Sequence, residues 1–268
     1  MANSRIIAIT GASAGIGRAT AIRLARDGAT LVICARRKDR LELVASEIEA
    51  AGGRAVPVVA DVTSATDMDR LARTAVERFG RLDVMMCNAG YGVAGPIDRV
   101  TSEQMRKLMD VNYFGTYHAA RAALPLFHAQ KRGHLVIVSS IVGKRGVPYM
   151  GAYAATKFAQ VGLAECLRAE LAGTDIHVSV VYPVSTDTEF FEVMSQETGT
   201  TVKRAFGPRQ DAGKVADAVA RAIERPVPEV YPYPKARALV LLNAVAPGIC
   251  DRFVKKFGRK LGDEPVTA

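Results

Sequence analysis

Tyr153 and Lys157 stand four residues apart in the segment YAATK, and Ser140 closes a strand-like run 13 positions before Tyr153. Four residues is about one helical turn, so in a helix the phenol and the ammonium share a face. A neighbouring ammonium stabilises phenolate. It thereby draws a tyrosine pKa down from about 10, toward the range where the ring oxygen exchanges a proton with a substrate oxygen at neutral pH. Ser140 is spaced to hydrogen-bond that same oxygen. An exposed helix pair would explain a lone Tyr-x-x-x-Lys equally well, so the reading depends on what else the chain carries.

The second chemical feature is TGASAGIG, Thr10 to Gly17, which follows the apolar run Ile6 to Ile9 and precedes a helix-like segment reaching Asp27. Gly11, Gly15 and Gly17 admit positive φ and let backbone approach an anion. They leave the N–H groups of a helix N-terminus facing it. A strand, a glycine turn and a helix in that order, first in an alternating chain, point to dinucleotide pyrophosphate binding.

The elements that must position these groups are legible as alternation. Apolar strand-like runs occur at Leu31 to Ala35, Ala55 to Ala60, Leu82 to Cys87, His134 to Ser139 and His177 to Tyr182. Amphipathic stretches such as Arg40 to Ala51 and Ala65 to Phe79 lie between them. This pattern predicts right-handed βαβ crossovers and an α/β Rossmann-type, doubly wound parallel sheet covered on both faces. Thr101 to Gln104, TSEQ, reads as a capping box opening the long helix that carries Asn112, and Gly133 reads as the break before the fifth strand.

With 268 residues, 49% of them hydrophobic, the chain suits one domain with a sizeable core. Only a short apolar run precedes the first glycines, so no secretory signal is expected. The apolar stretch from Ala238 is broken at Pro247 and Gly248 and is too short to span a bilayer. The cysteines at 34, 87, 166 and 250 lack metal-ligand spacing, so no metal is expected, and a reducing cytoplasm fits.

Taken together, these motifs resemble the short-chain dehydrogenase/reductase family from Arg5 to about Tyr233. The family's glycine motif falls on Thr10 to Gly17, with Ser13 and Ile16 inside it, its adenine-site acid on Asp61 with Val62, and its Asn-Ala-Gly on Asn88, Ala89 and Gly90. The catalytic tetrad falls on Asn112, Ser140, Tyr153 and Lys157, the 13-residue offset selecting Ser140 over Ser139. The resemblance implies reversible hydride transfer between nicotinamide C4 and a carbonyl or carbinol carbon. Tyr153 would be the acid or base, Lys157 would lower its pKa and bind the nicotinamide ribose, and Ser140 would polarise the carbonyl. Asn112 would kink its helix and hold a water linking Lys157 to solvent. The resemblance also implies a homo-oligomer, a dimer or tetramer.

For the cofactor, NAD-preferring relatives place an acid at the end of the second strand, where this chain has Ala35, Arg36 and Arg37. A guanidinium binds a 2′-phosphate that a carboxylate would repel, so NADP is expected over NAD. Ala14 departs from relatives that carry a base inside the glycine turn. After the sixth strand Pro183, Thr186 and Thr188 are expected cofactor contacts, with Val184 standing where the family usually has glycine.

The segments that line the pocket in relatives supply Tyr91, Val93, Ile141, Val142, Tyr149, Phe190 and Phe191. They predict an apolar ketone or secondary alcohol of lipid, steroid-like or aromatic type. A 3-ketoacyl thioester is the alternative substrate, and a non-catalytic nucleotide sensor or scaffold the alternative class.

Residues 1–234 are read as the catalytic domain and 235–268 as an extension. From Lys235 to Lys260 the extension carries seven basic residues against one acid, in a chain of net charge +9. Ile249, Phe253, Phe257 and Leu261 recur every four positions, a basic amphipathic helix that would pack on its own domain, on another subunit, or peripherally on an anionic membrane. Nucleic acid is not expected, because no recognition motif accompanies the charge.

Overall fold

Five residues of Ile6–Thr10 form strand β1, and all are buried. Successive side chains of a strand point to opposite faces, so a strand apolar throughout needs cover on both. The computed structural model, which describes residues 4–199 and 209–262, supplies that cover. Ile7 and Ile9 join Leu31, Ile33, Val84 and Met86 on one face. Ala8 joins Val32, Cys34, Met85 and Leu135 on the other.

The strands β1, β2 (Thr30–Ala35), β3 (Arg54–Val59), β4 (Val84–Cys87), β5 (Gly133–Val138), β6 (Ile176–Val181) and β7 (Glu229–Val230) form one sheet in the order 3-2-1-4-5-6-7. Every pairing is parallel. Helices α1 (Gly15–Arg26), α2 (Lys38–Ala50) and, later in the chain, α8 (Ala212–Glu224) cover the Ile7 face through Leu24, Leu41, Ile48, Val215 and Val219. Helices α3 (Ala65–Phe79), α5 (Gly115–Gln130) and α6 (Gly151–Glu170) cover the other through Met68, Leu71, Phe127, Val161 and Leu167. Strand order reverses between β1 and β4, and at such a point the loops leaving the strand ends diverge into a crevice.

Local chemistry sets several boundaries. The capping box is formed at the start of α4 (Ser102–Met109): Thr101 Oγ1 accepts from the Gln104 amide at 3.1 Å, and Gln104 Oε1 accepts from the Thr101 amide at 3.0 Å. The expected long helix is interrupted, because Asp110–Phe114 is a π-helical segment between α4 and α5 and contains Asn112. β4 starts at Val84, two residues later than the apolar run, because the Gln130 side chain bonds both the N–H and the carbonyl of Leu82. The break before β5 lies at Lys131, with φ 56°, rather than at Gly133. Gly133 is the first strand residue, and a Cβ there would meet the Phe127 ring at 2.1 Å.

After a short helix α7 (Phe190–Thr198) and α8, the chain ends in α9 (Lys235–Val245) and α10 (Pro247–Gly262). Arg145, in the loop after β5, donates to Asn243 Oδ1 at 2.8 Å and pairs with Asp251, and Cys250 is wholly buried. Leu241, Val245 and Ile249 are exposed. Of the four-residue stripe, Phe253, Phe257 and Leu261 have side chains that lie outside the described residues. Among the described residues no helix is long and apolar enough to cross a membrane.

Candidate active site

The crevice above β1 and β4 is a cavity of about 400 Å³. Its floor is built by the glycine turn. Gly11 and Gly15 have φ of 67° and 54°, a region other residues enter at a cost. Gly17 is required by space instead, since a Cβ there would lie 2.3 Å from the Gly11 carbonyl oxygen and 2.6 Å from Asn88 Nδ2. Asn88 Nδ2 donates to the carbonyls of Thr10 and Gly11 at 2.9 and 3.2 Å, while Thr10 Oγ1 accepts from the Asn88 and Ala89 amides. The turn after β1 is thus stapled to the end of β4. The N-terminus of α1 has no side-chain cap and no acid in its first turn. Its free N–H groups suit a dinucleotide's pyrophosphate, with Ser13, Ala14, Gly15 and Ile16 lining the cavity beside them.

At one end of the cavity lie Ala35, Arg36, Arg37, Asp61 and Val62. Arg36 is open to solvent, its side chain 72% exposed and its nearest acid, Asp61, 4.0 Å away. Asp61 Oδ1 accepts from both the amide and hydroxyl of Thr63 at 2.9 Å. Arg37 donates to Ser13 Oγ at 3.2 Å and pairs with Glu189, which also binds Arg40 at 2.5 Å. The Arg37 guanidinium holds the Glu189 carboxyl below the usual carboxylate range, against the opposing effect of partial burial. Sequence reasoning did not single out Glu189, which lies 152 positions from Arg37 in the chain.

At the other end the cavity is lined by Ser140, Tyr153 and Lys157 with Ile141, Val142, Met150, Phe190 and Phe191. Ser140 caps a 3-10 turn, Ile141–Gly143, and accepts from the Val142 amide at 3.3 Å. Burial pushes the Tyr153 phenol above its ordinary pKa, and its hydrogen bond with Ser140 opposes that rise. This direction is opposite to the lowering expected from Lys157 alone. The cause is visible in the geometry: Lys157 Nζ sits 5.6 Å from the Tyr153 ring centroid and donates to the Val138 carbonyl and Gln160 Oε1, each at 3.1 Å. Ser139, the competing serine, donates to the Lys157 carbonyl at 3.0 Å and so pins α6.

Asn112 is buried behind the cavity. Its Oδ1 accepts from the Tyr91 amide and its Nδ2 donates to the Tyr91 carbonyl, both at 3.0 Å, with a further bond to Thr156 Oγ1. Its own carbonyl is held by Gln160 Nε2 and Thr116 Oγ1 at 2.7 and 2.8 Å. Gly90 runs between Asn112 and Lys157, with room for no more than a hydrogen, since a Cβ would lie 2.9 Å from Asn112 Oδ1.

Tyr91 lines the cavity, but two residues expected in the substrate pocket do not. Val93 packs with Leu108 and Ala152 behind Tyr91, and Tyr149 has φ 63° with its carbonyl accepting from the Gly95 amide. Pro183, Thr186 and Thr188 all reach the cavity. Thr186 Oγ1 donates to the Val184 carbonyl at 2.9 Å, and Thr188 closes over Gly15, where a Cβ would meet its side chain at 3.2 Å.

Lys157 is wholly enclosed, and burial pushes its pKa down to about 7. Between that value and about 10.4 in the unfolded chain the unfolded state holds a proton that the folded state lacks, so stability rises with pH across the window. The contribution is present above the unfolded pKa and lost as pH falls through about 7. The unfolding free energy of the wild type minus that of Lys157→Met is therefore expected to grow between pH 7 and 10. The slope should approach about 1.4 kcal/mol per pH unit. Urea unfolding at several pH values measures it, and a difference that stays flat would show that Lys157 keeps its proton throughout.

A doubly wound parallel sheet, an open glycine turn at its switch point and a serine, tyrosine and lysine facing the same crevice define a nicotinamide-dependent oxidoreductase. Comparison with known proteins agrees. The short chain dehydrogenase family model matches residues 5–199. An uncharacterized oxidoreductase of Listeria innocua is 38% identical over 229 residues, 83% of this chain and 92% of that protein. Among solved structures, a short chain dehydrogenase/reductase from Burkholderia phymatum in complex with NAD superposes with a TM-score of 0.82 at 26% identity, covering 92% of this chain and 95% of that one. An alcohol dehydrogenase from Thermococcus sibiricus complexed with 5-hydroxy-NADP gives 0.75 at 29%, covering 85% and 96%. The chain belongs to the short-chain dehydrogenase family, and it is an oxidoreductase that uses NAD(P)(H) on C=O and CH–OH groups.

Proposed function

We propose that this oxidoreductase uses NADP(H) and interconverts an apolar ketone and its secondary alcohol. One observation carries the reading: a single cavity has exposed Arg36 at one end and Ser140 and Tyr153 at the other, against Val142, Met150, Phe190 and Phe191. When bound, the nicotinamide supplies or accepts the hydride. Tyr153 delivers the phenolic proton to the carbonyl oxygen in reduction and takes it back in oxidation, so hydride and proton together balance ketone and alcohol. Ser140 orients that oxygen through its hydroxyl, and Lys157 binds the nicotinamide ribose. The pocket wall at the reacting end is apolar, which favours substrates that lose water readily and lack a carboxylate.

Preference for the 2′-phosphate rests on Arg36. Arg37 is already engaged by Glu189 and Ser13, whereas Arg36 has a 4.0 Å contact with Asp61 and is otherwise solvated. Arg36→Asp, or Ala35→Asp with Arg36→Ile, is expected to weaken NADPH by about tenfold to 100-fold, the worth of a lost charge-assisted bond. NADH should change much less. Fluorescence titration of both cofactors checks it, and an unchanged ratio in both variants would move the 2′-phosphate to another group.

The C-terminal helices are proposed to pack on their own domain through Arg145, which holds Asn243 and Asp251. Truncation after Pro234 should lower the melting temperature, since burying even one large apolar side chain contributes roughly 1.5–3 kcal/mol. A truncated protein that melts with the wild type would refute the packing role.

A further inference from the structure

Gln160 lies three residues beyond Lys157 on α6 and is wholly buried. Its side-chain amide is committed at both ends. Nε2 donates to the Asn112 carbonyl and to Thr116 Oγ1, each at 2.7 Å, and Oε1 accepts from Lys157 Nζ at 3.1 Å. The amide can be oriented only one way, because a carbonyl accepts without donating and an ammonium donates without accepting. Thr116 Oγ1 donates to the same Asn112 carbonyl at 2.8 Å, which closes a small ring of bonds around the nitrogen end. The carbonyl is in the π-helical segment, whose wider turn takes main-chain oxygens out of the usual α-helical register.

We infer that Gln160 is a positioning residue for the reaction: it fixes the Lys157 ammonium by tying it, through its own amide, to the main-chain carbonyl of Asn112. This rests on the proposed role of Lys157 at the nicotinamide ribose. An amide holds a charge in one position, whereas a water can be exchanged and reoriented. The two acceptors of Lys157, Val138 on β5 and Gln160 on α6, fix the direction from which its remaining hydrogen can reach the cleft.

The other groups facing this ammonium are few. They are the Tyr153 ring from α6, Gly90 from the loop after β4, and the Asn112 amide beside it. Tyr153 is the titratable one, and no carboxylate or second cation acts on Lys157 among the described residues. Gln160 Oε1 is therefore the side-chain acceptor that favours the charged form. Replacing it with a thioether should release the proton at lower pH; replacing it with a carboxylate should retain the proton to higher pH.

NADPH affinity, followed by fluorescence from pH 6 to 10, reads this without a substrate. In the wild type, affinity should weaken as Lys157 loses its proton, a step absent from Lys157→Met. Gln160→Met should move the midpoint of that step down, and Gln160→Glu should move it up, each by about one pH unit. Opposite shifts distinguish positioning from simple loosening of the core, which would move both the same way. Should Gln160→Met fail to fold, the upward shift in Gln160→Glu decides alone. If the folded variants keep the wild-type midpoint, the inference is wrong even though the ribose role of Lys157 stands. If Lys157→Met binds NADPH as tightly as the wild type at pH 6, the ribose role fails and this inference with it.

Discussion

Tyr153→Phe is expected to lose turnover by about 100-fold to 10,000-fold, the range that positioned general acids contribute, while keeping its NADPH affinity within about twofold. The substitution deletes one oxygen at the far end of the cavity from the glycine turn and Arg36. It leaves the ring against Phe190, whose centroid is 5.4 Å away, so packing is retained. The oxygen also carries the bond with Ser140. Loss of that bond frees Ser140 to rotate, which a modest change in KM would report. Steady-state rates with NADPH and an apolar ketone, alongside a fluorescence titration, separate the two effects. A Phe variant that turned over at near the wild-type rate would transfer the acid role elsewhere.

Gly17→Val should produce the complementary phenotype, in which binding fails first. Its Cβ would stand 2.3 Å from the Gly11 carbonyl oxygen and 2.6 Å from Asn88 Nδ2, and the first of these is backbone that cannot swing aside. Either the turn opens or Asn88 lets go of Thr10 and Gly11, and both outcomes spoil the surface that meets the pyrophosphate. NADPH affinity is expected to fall on the order of 100-fold or more, each tenfold being about 1.4 kcal/mol. Overpacking should lower folding stability by about 1–3 kcal/mol as well. Calorimetric titration and thermal melting check the two parts. Normal NADPH affinity in this variant would mean that the pyrophosphate does not lie on the turn.

Much of the site is local in the chain, and that is why it could be read. TGASAGIG and YAATK each place their chemistry within a turn or two of backbone, and the alternation of buried strands with amphipathic helices specifies the sheet around them. The capping box at Thr101 was legible for the same reason. What escaped reading depends on contacts between distant segments. Glu189 meets Arg37 only because the segment leading into α7 returns to the glycine turn, and Gln160 meets Asn112 only because the π-helical segment packs against α6. The π-helical segment around Asn112 has no periodicity of its own in five residues, and β7, at two residues, is too short to show a pattern. Val93 and Tyr149 belong to segments that line the pocket in relatives, but Val93 packs into the cluster behind Tyr91 and neither residue is in the cavity lining. The direction of the Tyr153 pKa follows from the burial that it shares with Lys157, which a pairwise argument from the ammonium omits.

The most direct measurement is the nicotinamide absorbance band, followed when the purified protein meets NADPH and a panel of apolar ketones. Oxidation of NADPH should proceed with at least one of them, with one alcohol formed for each cofactor consumed, and should cease in Tyr153→Phe. Tight NADPH binding with no oxidation across lipid-like, steroid-like and aromatic ketones, nor NADP reduction with the matching alcohols, would contradict it and mark the chain as a nucleotide-binding protein that does not turn over.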